Sequence, residues 1–213
     1  MPTDRLLRRL AQCVAGLVVC GLGIALIVDA ELGVAPWDVL HQGVSERTGI
    51  PIGTVIVIVG FALLVLWIPL HVRPGVGTVL NALIIGASVD LALPRLPDTD
   101  LIAVRAAELA AGLVMFGVGT GLYIGAGLGP GPRDGLMTGL VARGWRIHTS
   151  RTILEVAVLV VGFLLGGSVG VGTAAFAFGI GPLVQFFLPR FRLDPDPHVA
   201  SAARRTMSLQ PPS

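Results

Sequence analysis

The residues most able to perform chemistry lie in two matching segments, ELGVAPWDVLHQG from Glu31 and GLGPGPRDGLMTG from Gly127. Each segment contains Leu-Gly, then Pro-x-Asp, then Leu and Gly at the same spacing. A proline can take the first position of a helix, so Asp38 and Asp134 become third helical residues, facing the positive end of the helix dipole. Each Asp therefore stabilises its own helix start or lines a solute site, and both roles can hold together.

One position breaks the match between the two segments. Trp37 in the first corresponds to Arg133 in the second. Arg133 would add a full positive charge to its helix end, so the pair could form one wall of an anion site. Alternatively, Trp37 is an anchor at the outer membrane interface and Arg133 follows the tendency of basic residues to lie on the cytoplasmic side.

Polar residues inside apolar stretches are further candidates, because an ionisable side chain there costs about 2.5–3.5 kcal/mol and usually faces the bundle interior. Arg151 and Glu155 lie one helical turn apart, so they either neutralise each other at the membrane edge or form a proton- or substrate-linked carboxylate with a basic partner. Asn81 either joins two helices by a hydrogen bond or contacts a solute. Asp90 and Gln185 occupy corresponding positions of the two halves of the chain.

The composition indicates that membrane helices must position these side chains. Of 213 residues, 54% are hydrophobic and 13% are charged, whereas about a quarter of the residues of a soluble domain are charged. Several apolar runs approach the ~20 residues needed to cross a bilayer. We expect Cys13 and Cys20, in the first run, to be packing residues, and Tyr123, the only tyrosine, to lie at the membrane interface.

The chain is an internal repeat, which a comparison of the sequence with itself reveals. Shifted by 96 residues, 16–43 matches 112–139 at thirteen of 28 positions, and shifted by 95, 75–95 matches 170–190 at eleven of 21. The matches are ordered and cover most of both halves. The protein therefore consists of two copies of a unit of about 95 residues.

Each unit is predicted to contain three membrane helices and one short helix. A cytoplasmic tail (1–9) precedes repeat 1 (10–95) and repeat 2 (96–190), and a disordered cytoplasmic tail (191–213) follows. The predicted helices are 10–28, 36–47, 51–70 and 75–93 in repeat 1, and 106–125, 132–144, 151–166 and 171–189 in repeat 2. Segments 36–47 and 132–144 are too short and polar to cross ~30 Å of hydrocarbon, so they are half-helices that are either re-entrant or interfacial.

Three crossings per unit make the second unit enter the membrane from the opposite side. The predicted fold is therefore an all-α membrane protein of six transmembrane helices, arranged as two inverted three-helix repeats. Arginines support this topology, because basic residues collect in cytoplasmic loops. With both termini inside, twelve arginines lie on the inner side and three on the outer side, the three being Arg47, Arg95 and Arg105.

Three stretches resemble the YczE/YitT-like integral membrane proteins of bacteria, namely LGVAPWDVLHQGVSERTGIPIGT, GVGTVLNALIIG and RTILEVAVLVVGFLLGGSVGVGTAAFAFGIGPLVQFFLP. The resemblance runs from about residue 10 to 192, nearly the whole chain. It implies a multi-pass protein of the bacterial cytoplasmic membrane and a candidate transporter. It supplies no substrate and no catalytic residue.

These features favour a small secondary transporter or channel-like permease for a small polar or anionic solute, with a site between the repeats. The alternatives are a substrate-binding membrane subunit of a multi-component importer and a non-transporting scaffold or regulator. The candidate substrate-binding residues are Asp38, Asn81, Arg133, Asp134 and Glu155, with Trp37, Asp90, Arg151 and Gln185 as secondary candidates.

An enzyme is not expected, because the sequence has no phosphate-binding loop and no nucleophile elbow. The four histidines, at 41, 71, 148 and 198, are scattered and none pairs at ligand spacing, so no metal or cofactor is expected. The expected partners are the lipid bilayer and a small-molecule solute. A homodimer is left open, and no nucleic acid is expected.

Overall fold

The computed structural model describes residues 3–97 and 99–193, and every regular element in these ranges is helical. Its eight α-helices are α1 (Thr3–Asp29), α2 (Pro36–Thr48), α3 (Ile52–Leu70), α4 (Val76–Ala92), α5 (Ile102–Gly125), α6 (Pro132–Val141), α7 (Ile147–Leu164) and α8 (Val171–Phe191). All of them except α2 and α6 are long and apolar enough to cross a membrane, which confirms the all-α class and the six predicted spans.

Several long helices extend beyond the apolar runs that predicted them. Helix α1 begins at Thr3, before the run at 10–28, and α5 and α7 begin four residues before the predicted 106 and 151. An apolar run marks the part that lies in hydrocarbon, whereas the helical backbone continues through polar residues at the membrane edge. Helix α6 ends at Val141, earlier than the predicted 144, and Gly144 adopts a left-handed φ of 89°. Most of the predicted C-terminal tail, residues 194–213, lies outside the described residues.

The short helices α2 and α6 begin at Pro36 and Pro132. The residue before each is extended, with ψ of 153° at Ala35 and 161° at Gly131. Proline suits this position because its missing N–H would have no partner inside the helix. Asp38 and Asp134 consequently lie in the first turns of their helices, as the Pro-x-Asp motif predicts.

Helices α1 and α5 cross at the centre of the molecule, and their backbones meet at glycines. A Cβ atom on Gly16 would lie 2.7 Å from the carbonyl oxygen of Gly119, and one on Gly23 would lie 2.8 Å from that of Gly112. Lower residue numbers on α1 meet higher numbers on α5, so the two helices run in opposite directions. Only residues without a side chain permit so close an approach.

The Leu-Gly loop of each half packs against the last long helix of the other half. The backbone N–H of Gly172 donates to the carbonyl of Leu32 at 2.7 Å, and that of Gly77 donates to the carbonyl of Leu128 at 2.9 Å. These bonds use helix-terminal N–H groups that have no intrahelical partner. They hold the loops that lead into α2 and α6 against the helix starts of α8 and α4.

The loop glycines Gly33 and Gly129 cannot be exchanged for larger residues. Their φ angles are 97° and 125°, a region that side chains disfavour. A Cβ on Gly33 would also lie 2.3 Å from the backbone nitrogen of Gly170. The Gly of each Leu-Gly motif thus sets the turn that aims the following Pro-x-Asp helix.

The two halves differ in how their last two long helices pack. Helices α3 and α4 are in close contact, since a Cβ on Gly53 would lie 2.0 Å from the carbonyl oxygen of Gly86. In the described part of the chain, α7 and α8 form no comparable contact. Gly179 and Gly181 of α8 have nothing within 4 Å of a Cβ position. A gap therefore separates α7 from α8.

Candidate functional site

A cavity of about 440 Å³ lies where the short helices α2 and α6 begin, and we call it the central cavity. Every one of the eight helices contributes to its lining, which is mainly aliphatic and aromatic. Seven of the nine predicted site residues line it, namely Trp37, Asn81, Arg133, Asp134, Arg151, Glu155 and Gln185. Asp38 lies directly behind the cavity wall, where it contacts Arg133, and Asp90 lines a different pocket.

Arg133 and Asp38, which come from different halves, form an ion pair at the wall. The Arg133 Nη2 atom lies 3.3 Å from Asp38 Oδ1, and Asp38 is only 2% exposed whereas the Arg133 side chain is 26% exposed. His41 Nδ1 lies 3.1 Å from the same carboxylate oxygen. The Arg133 guanidinium also lies over the Trp37 ring, 5.5 Å from its centroid. The carboxylate of one short helix thus neutralises the cation of the other.

Asp134 has a different environment from Asp38. Its side chain is exposed to the central cavity, and Oδ2 accepts a hydrogen bond of 3.1 Å from the Tyr123 hydroxyl. The Asn81 amide lies close by, since both side chains flank Gly131. Within residues 3–97 and 99–193, no basic side chain lies within ion-pair distance of Asp134.

Tyr123 corrects the expectation of an interfacial residue. It is 5% exposed, and its hydroxyl points to Asp134 in the central cavity. A buried tyrosine usually directs its hydroxyl to a polar partner. The nearest partner here is eleven residues further along the chain, across the loop between α5 and α6.

Arg151 and Glu155 form the ion pair that was one of their two predicted roles. Arg151 Nε donates to Glu155 Oε1 at 2.8 Å, and the two side chains are 57% and 32% exposed. Both also line the central cavity, beside the gap between α7 and α8. Gln185 of α8 lines the same end of the cavity. The pair therefore lies at the mouth of the cavity.

Asp90 does not join the other candidates, contrary to its prediction as a secondary solute residue. Its carboxylate accepts hydrogen bonds from the Gly53 backbone N–H at 2.6 Å and from Thr54 Oγ1 at 2.7 Å. These donors belong to the first turn of α3, whose N–H groups have no intrahelical partner. Asp90 thus caps α3 from the neighbouring helix.

His41 was missed by sequence reasoning, which treated the four histidines as scattered. It is 1% exposed, lines the central cavity and contacts Asp38 three residues earlier on the same helix face. The i,i+3 spacing from Asp38 was the signal that could have found it. Among the described residues, no group of three or more His, Cys, Asp or Glu is arranged to hold a metal ion.

Six apolar helices around a cavity that contains charged side chains define a multi-pass α-helical membrane protein. The chain belongs to DUF6198, a family of unknown function whose model matches residues 7–189. An uncharacterized protein of Haemophilus influenzae is 41% identical over 173 residues, which cover 81% of this chain and 79% of that protein.

Two proteins of Bacillus subtilis are also similar to this chain. The uncharacterized membrane protein YczE is 33% identical over 180 residues, 83% of each chain. The uncharacterized protein YyaS is 29% identical over 181 residues, 82% of this chain and 89% of its own. These relatives confirm the resemblance to YczE-like proteins. No solved structure matches the chain.

Proposed function

We propose that this protein is a small secondary transporter or channel-like permease, built from two inverted repeats, with its solute site in the central cavity. The observation that carries the proposal is the meeting of both Pro-x-Asp helix starts at one cavity, lined by residues of both halves. Transporters of this architecture commonly bind solute where the ends of discontinuous helices face each other at the repeat interface.

The contacts between the halves support the inverted arrangement. At a shift of 96 residues, Gly16 corresponds to Gly112 and Gly23 corresponds to Gly119. Exchanging the two halves therefore converts the contact of Gly16 with Gly119 into that of Gly23 with Gly112. Cys20 and Phe116 also correspond to each other, and the Cys20 thiol lies 3.7 Å from the Phe116 carbonyl. Such pairwise exchange is expected of a two-fold axis that lies in the membrane plane and passes near these two residues.

The burial of the short helices supports re-entrant rather than interfacial placement. Helices of 13 and 10 residues are about 20 and 15 Å long, too short to cross ~30 Å of hydrocarbon. Trp37, Asp38 and His41 of α2 are nevertheless buried by other helices. Helix ends and loops at membrane depth are tolerated where they are buried in protein or line a cavity.

The difference between the halves supports a transport cycle. The gap between α7 and α8 opens the central cavity, while the corresponding helices α3 and α4 are closed against each other. Alternating access in inverted repeats requires the two halves to exchange such conformations. From the arginine distribution, we infer that the open side faces the cytoplasm and that the protein lies in the bacterial cytoplasmic membrane with both termini inside.

The test is uptake by proteoliposomes that contain the purified protein, measured with a panel of radiolabelled small cations, anions and neutral polar solutes. Gly181→Trp places a bulky ring at the mouth of the central cavity, where a Cβ meets nothing within 4 Å. We expect this variant to lose uptake of any transported solute. The matched control is Gly179→Trp, which has equal space on the same helix but does not line the cavity.

Uptake equal to that of empty liposomes for the whole panel would argue against a self-sufficient transporter. Co-purification with an ATPase module would then favour the importer subunit. A scaffold or regulator would show neither uptake nor such a partner.

A further inference from the structure

We propose that the central cavity takes an organic cation and that Asp134 is its counter-charge. This inference rests on the proposed function, because it names the class of solute for the same cavity. It depends on two observations: the other charged side chains at the cavity are already paired, and aromatic side chains form the walls around Asp134.

Both basic side chains at the central cavity are already paired. Arg133 lies 3.3 Å from Asp38, and Arg151 lies 2.8 Å from Glu155. Asp134 is the third carboxylate of the group, and among the described residues its hydrogen-bond donor is the neutral Tyr123 hydroxyl. With His41 neutral, the cavity therefore has one uncompensated negative charge.

The helix dipole only partly offsets that charge. The start of α6 provides the equivalent of about half a positive charge beside Asp134, so about half of the charge of that carboxylate remains. The start of α2 acts in the same way on Asp38, which already neutralises Arg133. An anion entering the cavity would face Asp134 directly. It could reach the exposed part of Arg133, but the charge of that arginine is already neutralised by Asp38, 3.3 Å away.

The walls around Asp134 suit a cation with apolar substituents. Phe116 and Phe176 line the cavity and contact each other edge to face, with their ring centroids 5.3 Å apart. Tyr123 adds a third ring, and aromatic faces attract cations. The volume of about 440 Å³ lies within the range of small-molecule sites. Among the described residues, no group of three or more His, Cys, Asp or Glu is arranged here to hold a metal ion.

The remaining charged and titratable groups at the cavity come from five of its helices. Besides Asp134 itself, those that line the cavity are Cys20 of α1, His41 of α2, Tyr123 of α5, Arg133 of α6, and Arg151 and Glu155 of α7. The lining residues of α3, α4 and α8 include no titratable group. Binding of the organic cation at Asp134 is an ion pairing in which no covalent bond changes.

The experiment compares two probes of the same size and shape but opposite charge, tetraphenylphosphonium and tetraphenylborate. Equilibrium dialysis measures their binding to the purified full-length protein in detergent, with empty micelles as the blank. We expect the protein to bind the phosphonium and not the borate.

Variants of Asp134 and of a carboxylate outside the cavity test the assignment. Asp134→Asn should weaken phosphonium binding at least about tenfold, whereas Asp134→Glu should retain it. The control is Asp90→Asn, which removes a carboxylate outside the central cavity and should change the affinity less than about threefold. Thermal unfolding of each variant verifies that it is folded.

Equal or tighter binding of the borate would overturn the proposal, as would unchanged phosphonium binding by a folded Asp134→Asn variant. These outcomes are separable from failure of the proposed function. Phosphonium binding that depends on Asp134, without uptake by proteoliposomes, would support the cation site and refute the transport function. Uptake of an anion without phosphonium binding would do the reverse.

Discussion

Removing either partner of the ion pair between Arg133 and Asp38 should destabilise the protein, and by unequal amounts. Loss of one partner of a buried ion pair costs about 3–5 kcal/mol, because the other charge remains buried and unpaired. Arg133→Met leaves the Asp38 carboxylate, 2% exposed, with only His41 beside it, so we expect a cost of about 3 kcal/mol. Asp38→Asn leaves Arg133, which is 26% exposed and lines the central cavity, so water can solvate it and we expect about 1 kcal/mol.

The native cysteines supply an assay for this difference. Cys13 and Cys20 are 0% and 1% exposed, so a thiol-reactive fluorophore labels them only when the protein unfolds. At about 2–4 °C for each kcal/mol in a chain of this size, Arg133→Met should lower the unfolding temperature by about 6–12 °C and Asp38→Asn by about 2–4 °C.

The double variant completes the measurement. Asp38→Asn combined with Arg133→Met removes both charges, so it should be more stable than Arg133→Met alone, with a coupling energy of about 0.5–3 kcal/mol. The reasoning would be refuted if the two single variants lost equal stability, if Asp38→Asn lost more, or if the effects of the two changes simply added.

Three further predictions concern the helix contacts. Gly16→Leu should cost about 3 kcal/mol, the upper end of the usual range for overpacking, because its Cβ would lie 2.7 Å from a carbonyl oxygen of α5. A folded variant with the native unfolding temperature would contradict that contact. Asp90→Ala should lower stability by about 1–2 kcal/mol through loss of the α3 cap, yet leave phosphonium binding unchanged. Weakened binding would place Asp90 in the solute site. The pair His148→Cys and Gly181→Cys places thiols on α7 and α8 at the positions that correspond to Gly53 and Gly86, the close contact between α3 and α4. A disulfide between these thiols, detected by gel shift, is expected only if the halves exchange conformations. Its absence under all ligand and pH conditions would argue against alternating access.

Local chemistry made the helices and their starts predictable from the sequence. Length and apolarity identify six helices that can cross a membrane, because this property depends on each segment alone. Pro36 and Pro132 mark the starts of α2 and α6 for an equally local reason, since proline suits the first helical position. Helix ends beyond the apolar runs were less predictable, because hydropathy reports hydrocarbon contact rather than backbone conformation.

The direction in which a polar side chain points could not be predicted in the same way. Asp90 and Asp134 are both carboxylates near helix ends, but one caps α3 and the other faces the central cavity. Tyr123 lies in α5 as predicted, yet its hydroxyl turns inward to Asp134. A sequence locates a residue along its helix axis, whereas the rotation of that helix against its neighbours decides which face meets the cavity.

The sequence by itself determined the class of protein, its two similar halves and the residues able to carry charge. Only the tertiary structure decided which of those charges remain available. Asp38 and Arg133 are 95 residues apart and belong to different halves, and they meet because α1 and α5 approach closely at their glycines and bring the two short helices together. That contact neutralises the arginine that the sequence presented as the wall of an anion site. It leaves Asp134 as the uncompensated charge in the central cavity.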